Sequence, residues 1–300
     1  MWYIHVCITH FSFRFIGGRK TPLSALLKDL HQVETRSEFF PHPLPVSCHT
    51  VSTLEEGNIM SLTLGEVRNC GNRLLNKLTN EQLQVLLPRL EKVHHKIRDV
   101  IHERHQPIRY VHFPGNAILS NLLYMEGGTA VEVGTVGNEG ISSVELLARA
   151  SVAIETCVCQ VAGDGLRMQT NDFREAISGA TPLHHLTECY LQTYLVQLSQ
   201  SVACNRMHTI EERFARWLLL THDRVGSDEF FLTQEFIASM LGVHRPSVSL
   251  VAGTFQSAGM IKYSRGRITI LNRAPLEDTS CECYAAVKAE FLRVLNIPYG

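Results

Sequence analysis

Acidic residues are missing from one long stretch of this 300-residue chain: 236–276 contains no Asp or Glu, while Arg245, Lys262, Arg265, Arg267 and Arg273 all fall inside it. Cations without neighbouring acids make a footprint for a polyanion, and nucleic acid is the commonest one. Long apolar runs are also lacking. Residues 83–93, for example, are broken by Arg89, Glu91 and Lys92, so nothing nears the ~18 residues of a membrane helix and no membrane partner is expected. His5, His10 and Arg14 interrupt the aromatic opening, which spoils a signal-peptide core and predicts a cytoplasmic protein. The nine cysteines are odd in number and scattered, without the dense spacing of a disulfide scaffold, so reduced thiols are expected. Neither a G-x-S-x-G elbow, a P-loop nor an H-E-x-x-H motif occurs, so neither an enzyme nor a cofactor is predicted.

The charge that is present is divided. Against the basic run stands an acidic region at 110–166, where Glu126, Glu132, Glu139, Glu145, Glu155 and Asp164 face the single cation Arg149. Two regions of opposite charge imply two tasks, and 300 residues are enough for about two domains. Residues 1–69, with the Pro-His-Pro-Leu-Pro run at 41–45, show no sustained period and are read as a poorly organised tail. Thr79 and Gln82 form a capping-box pattern ahead of Leu83, Leu86, Leu87 and Leu90 on one helical face, which predicts a short helix bundle there. Runs rich in Ile, Val and Tyr at 108–113, 117–124, 130–136 and 154–161 read as strands, with Glu126, Gly127 and Gly128 at a hairpin. Strands in such order without intervening helices predict an antiparallel roll.

From Pro182 a long helix is predicted in which Leu191, Leu195, Leu198 and Val202 recur at spacings of 4, 3 and 4, the seam of a helix that packs along a partner helix. Thr209 and Glu212 open the next helix, so a boundary is expected near 205–208. Beyond Gly226, Thr233 reads as a helix N-cap with Glu235 in the first turn, Ile237, Met240 and Leu241 inward, and Gly242 as the stop. Pro246 then suits the first turn of a second helix that turns Val248, Val251, Ala252 and Phe255 inward. Two short strands follow around Ser264-Arg265-Gly266. Helix, tight turn, helix and basic hairpin together make a winged helix-turn-helix, whose second helix enters the major groove and whose hairpin meets phosphates.

With a roll and a long helix before it, the stretch 233–267 resembles the CRP/FNR family of bacterial transcription regulators, and the likeness in element order spans about 72–271. Cys281-Glu282-Cys283-Tyr284 resembles the end of a subgroup whose effector is undefined. The resemblance implies an α+β chain: an antiparallel, cyclic-nucleotide-binding-like β-roll sensor domain at 70–180, a dimerisation helix at 181–206, a winged helix-turn-helix at 207–273 and a helical tail at 274–300. It also implies a homodimer on a palindromic operator in double-stranded DNA, with RNA polymerase as a further partner. Thr233 matches the family's phosphate-contacting position, and Arg245, Ser247 and Ser249 match its DNA-facing helix positions, with His244 beside them. Lys262, Arg265 and Arg267 complete the expected DNA-binding set on the hairpin. Family members that read bases with Glu and Arg on this helix differ from this chain, which has Pro246 and Leu250 there, so their operator does not transfer. Pro246, Ser249, Leu250 and Gly253 lie opposite the inward face, and Leu250 is suited to a thymine methyl.

The family's usual cyclic-AMP cassette pairs a glutamate with an arginine. After Gly137-Asn138-Glu139-Gly140 this chain has Ile141-Ser142-Ser143, and near the expected arginine it has Ile154-Glu155-Thr156. Cyclic AMP is therefore not expected to bind in that mode, and Glu139 and Glu145 read as solvated loop acids. His94-His95, His102-x-x-His105, His184-His185, Cys157-x-Cys159 and Cys281-x-Cys283 lack the paired C-x-x-C spacing of structural zinc, so no metal ligands are assigned. On a helix, Cys281 and Cys283 would point ~200° apart. The competing readings are a protein-binding adaptor that uses the acidic roll, and a regulator that responds to redox state or metal through its Cys and His residues.

Overall fold

The structure is a computed structural model that describes residues 62–126 and 128–297. Most of the predicted tail, its proline run and Gly127 of the predicted hairpin lie outside those residues. Helix α1 (Leu64–Asn69) falls within the range assigned to the tail but has a full capping box between Thr63 and Glu66, and it buries Val67 in the core.

Helix α2 (Asn80–Leu86) starts with the predicted Thr79/Gln82 capping box and buries Leu83 and Leu86. It is not the first member of a bundle. Pro88 turns the chain through a short 3₁₀ segment, and Leu90 opens strand β1 (Leu90–His95). Pro88 has no amide hydrogen to continue the helical bonding, so the leucine face ends there although Leu87 itself keeps helical backbone.

Two antiparallel sheets form the roll. One has the order β1, β7 (Gly163–Gln169), β3 (Tyr110–Pro114); the other has the order β2 (Val100–His102), β6 (Thr156–Val161), β4 (Ile118–Tyr124), β5 (Ala130–Val136). Val111, Phe113, Leu166 and Met168 from the first sheet are buried in the same core as Ile118, Leu119, Leu122 and Cys159 from the second. Three of the predicted strands match β4, β5 and β6, and the first matches β3 with a shift of two residues. Strands β1, β2 and β7 were not predicted. In β7 the Gly-Asp-Gly start reads as a turn, but a Cβ on Gly165 would sit 2.9 Å from the Phe113 carbonyl oxygen. Glycine there permits close strand approach.

Helix α3 (Thr170–Ala176) leads to the long helix α4 (Pro182–Met207), which has Thr181 as N-cap and Pro182 in the first turn. One face of α4, with Leu183, Thr187, Tyr190, Tyr194 and Gln197, is buried. Tyr194 accepts a hydrogen bond from Asn121 Nδ2 on β4 at 2.6 Å. Helix α5 (Ile210–Val225) begins with the predicted Thr209/Glu212 box and ends at Gly226, where φ is +65°. The C-terminal helices α8 (Arg273–Thr279) and α9 (Cys283–Leu295) close on α5 and α4. Arg273 Nη2 lies 2.7 Å from Asp223 Oδ1, the Tyr284 hydroxyl donates to Asp223 Oδ2 at 2.7 Å, and Phe291 packs against Tyr190. Among the described residues no helix is long and apolar enough to cross a membrane, and all seven cysteines there are free.

A polar junction joins the roll to α5. Arg224 donates to Glu139 Oε1 at 2.8 Å, to Thr135 Oγ1 at 2.6 Å and to Gln197 Oε1 at 2.9 Å. Glu139 is only 1% exposed, so it is not the solvated loop acid expected from its Gly-rich surroundings; a buried carboxylate needs such a partner. Nearby, Glu132 accepts a hydrogen bond from Ser120 Oγ at 2.7 Å, and burial pushes its pKa up to about 7 from 4.5. The folded chain then holds a proton that the unfolded chain releases between those values, so this group makes stability fall as pH rises through about 4.5 to 7. Glu155, also pushed up to about 7 by burial and then by Glu145, contributes in the same direction. Glu132→Gln should therefore flatten the melting temperature between pH 5 and 7 relative to the parent chain, and parallel curves would show that Glu132 is ionised throughout.

Candidate nucleic-acid interface

Strand β8 (Glu229–Phe231) leads into Thr233. Thr233 Oγ1 accepts from the Phe236 amide at 3.2 Å and caps helix α6 (Gln234–Leu241). Gly242 ends α6 at φ +62°, with its amide on the Ala238 and Ser239 carbonyls, so the chain can reverse within three residues. His244 is the N-cap of helix α7 (Arg245–Ser257), whose inner residues Val248, Val251, Ala252 and Phe255 are all buried as predicted. Phe255 stacks on Phe214 of α5 with the rings 7° from parallel. Strands β9 (Ile261–Ser264) and β10 (Arg267–Ile270) form the hairpin, and β10 also pairs with β8. Arg265 and Gly266 occupy its turn at φ +51° and +81°. The left-handed backbone costs an arginine about 1–2 kcal/mol, and it projects that charge from the tip of the wing.

The predicted DNA-facing residues lie at the α6 N-cap, on α7 and on the wing, and Thr233, Arg245 and Arg265 of the set line one groove. His244, Arg245, Ser249, Leu250, Lys262, Arg265 and Arg267 are exposed, and Thr233 and Ser247 half-buried. Leu250 is 72% exposed, beside Pro246 and Ser249. A shallow groove between α6, α7 and the wing is lined by Thr233, Gln234, Glu235, Arg245, Tyr263 and Arg265. Two of these were missed in the sequence. Gln234 accepts from Ser249 Oγ at 2.7 Å and ties the two helices, while the Tyr263 hydroxyl donates to the Leu232 carbonyl at 2.8 Å. Gln234 follows the N-cap directly and Tyr263 alternates with Lys262 on the basic strand, so both signals were present.

The acid-free run is less bare in space than in sequence. Glu235, one residue before it, lies 3.0 Å from Arg245 Nε, and Glu229 pairs with Arg267. For Lys262 and Arg265 no ion-pair partner is seen among the described residues, which leaves the wing as the strongest positive feature of this face.

The predicted dimer seam on α4 divides. Leu195 and Val202 are 53% and 73% exposed, whereas Leu191 and Leu198 are half-buried. A Cβ on Gly134 of β5 would approach a Leu198 methyl to 2.8 Å, so Leu198 packs on the roll of its own chain. In the cassette region Tyr190 covers Gly140 so closely that a Cβ there would lie 2.0 Å from the ring. Cys157 and Cys159 are buried core residues of β6. Cys204, His208, Cys281 and Cys283, scattered in sequence, gather in one place. Cys281 precedes α9 and Cys283 is its first residue, so the helical-wheel separation does not apply to the pair.

A capped helix, a left-handed glycine, a second helix with an exposed outer face and a β-wing define a winged helix-turn-helix protein, here preceded by an antiparallel roll and a long helix. Residues 212–279 match the Crp-like helix-turn-helix domain. Similar solved structures include a crp/fnr-family transcriptional regulator from Eubacterium rectale (21% identity, 69% of this chain and 96% of that one, TM-score 0.51). FixK2 from Bradyrhizobium japonicum is 13% identical over 64% of this chain and 98% of that one, with a TM-score of 0.56. A CRP-family transcriptional regulator from Thermus thermophilus is 17% identical over 63% and 96%, with a TM-score of 0.53. No curated protein matches the chain in sequence. Residues 212–279 thus form a Crp-like helix-turn-helix domain, and what the chain shares with these solved structures is the fold.

Proposed function

We propose that the protein is a cytoplasmic homodimer that binds a palindromic DNA operator through α7 and the wing and acts on RNA polymerase, with the roll (70–180), long helix (181–206) and winged domain (207–273) as its working parts. The observation that carries the reading is the groove in which Thr233, Arg245 and Arg265 meet, with Ser249 hydrogen-bonded to Gln234 of its lining and Leu250 and Lys262 exposed on α7 and β9. Leu195 and Val202, seven residues apart and exposed on α4, supply the contact between copies. A dimer is required because two recognition helices must sit about one DNA turn apart.

Base reading on this surface is sparse. Pro246, Ser249 and Leu250 offer no bidentate pair, so apolar contact at Leu250, Arg245 at the margin, and DNA shape carry the specificity. The Arg245→Ala variant should lose about 1–3 kcal/mol on its operator, whereas Arg265→Ala should weaken all sequences alike and lower the salt slope by about 1. Glu235→Gln, which frees Arg245 from an exposed ion pair, should tighten binding by up to about fivefold. Anisotropy titrations at several salt concentrations check all three. Binding that does not fall with salt would remove phosphate contact, and with it the reading.

The effector is not cyclic AMP in the family's usual mode. Glu139 is already held by Arg224 of the same chain, and Tyr190 covers Gly140 beside it. Calorimetric titration should show no micromolar binding of cyclic AMP, and affinity abolished by Arg149→Ala would contradict this.

A further inference from the structure

Four side chains able to ligate a metal converge where the long helix ends. Donor atoms of Cys204, His208, Cys281 and Cys283 all lie within 4.8 Å of one another. Cys204 lies in the last turn of α4 and His208 is its C-cap, whose amide donates to the Cys204 carbonyl at 3.1 Å. The chain returns beside them at Cys281 and at Cys283, the first residue of α9. Cys204 Sγ is 3.5 Å from Cys281 Sγ, and Cys283 Sγ is 3.7 Å from His208 Nδ1. A tetrahedral ion bound to sulfur at about 2.3 Å separates its sulfur ligands by about 3.8 Å, whereas a disulfide requires about 2.05 Å. The Cys204 and Cys281 sulfurs therefore stand at ligand spacing and not at disulfide spacing.

Two further features point to an ion. His208 directs Nδ1 toward the sulfurs while Nε2 lies 3.1 Å from Glu282 Oε2. A carboxylate on the outer ring nitrogen of a ligating histidine fixes the tautomer and aims the inner lone pair, as around bound zinc. Arg216 is 91% buried by its 9% exposure, its Nε and Nη1 have no hydrogen-bond partner, and its charge acts on all three thiols. Three thiolates and a neutral imidazole around a divalent ion sum to −1, which this guanidinium offsets. Cys204, Cys281 and Cys283 are 0%, 5% and 2% exposed, so solvent is excluded.

We propose that Cys204, His208, Cys281 and Cys283 form a closed Cys₃His site for Zn²⁺ that clamps the C-terminal segment to the end of α4. Binding releases one proton from each thiol and keeps the imidazole neutral. Four protein ligands leave no open position, so the ion is structural. His208 immediately precedes Thr209, the N-cap of α5, and the clamp thus braces the joint between the long helix and the DNA-binding domain. The inference stands independently of the operator and the effector.

The test is cobalt titration of the full chain, purified reduced and stripped with a chelator. One equivalent of Co²⁺ should produce the d–d bands of a tetrahedral site and a thiolate charge-transfer band, both abolished by added Zn²⁺. Cys281→Ser with Cys283→Ser should remove the bands, and Cys157→Ser with Cys159→Ser should retain them. Because the first variant removes buried groups, exposed Glu282 offers a gentler probe: Glu282→Ala should leave the fold intact and weaken metal affinity about tenfold or more. Absence of a charge-transfer band in the parent chain, its persistence in the Cys281/Cys283 variant, or a Cys204–Cys281 disulfide in the reduced preparation would each overturn the proposal.

Discussion

Replacing Arg224 with methionine should destabilise the chain by about 3–5 kcal/mol, because Glu139 would be left charged, buried and without its partner. The guanidinium also serves Thr135 on the roll and Gln197 on the long helix, so the loss falls at the junction of three parts of the molecule. Urea unfolding reads the effect directly. Adding Glu139→Leu to Arg224→Met should recover much of the stability, since removing both charges avoids the desolvation that removing one exposes. A loss below about 1 kcal/mol for Arg224→Met would mean that the pair is hydrated and that the junction is looser than described.

The second large effect is expected on assembly. Leu195→Asp combined with Val202→Asp should convert a dimer into monomers, at little cost to the isolated chain because both side chains are mostly exposed. Leu198 is left alone because it packs on β5 of its own roll, and a charge there would confound folding with assembly. Operator affinity should fall about a hundredfold or more, as the second half-site contact is no longer intramolecular. Light scattering and anisotropy measure the two consequences, and an intact dimer would place the interface on another face.

Legibility in the sequence followed the range of the interactions involved. Both capping boxes at Thr79 and Thr209, the Thr233 cap, the Gly242 stop and the inward face of α7 depend on neighbours within a turn or two, and each was readable. Strands β1 and β7 were not, because distant partners hold them: Leu90 through His95 pairs with Met168 through Gly163, and β7 pairs on its other side with β3. Charge showed the same limit. The acid-free run marked the basic residues of α7 and the wing, but Glu229 and Glu235 fold back onto Arg267 and Arg245 from just outside it. Glu139 looked like a loop acid because its partner is 85 residues away. The thiol cluster was divided in the same way, with 77 residues between Cys204 and Cys281.

Selection of bound sites from random duplex DNA tests the central claim most directly. The account predicts enrichment of an inverted repeat whose half-site centres lie about 10–10.5 base pairs apart, or a multiple of that spacing, with binding that weakens steeply as salt rises. Recovery of no common sequence, or of a single half-site bound equally well by the Leu195/Val202 variant, would contradict it.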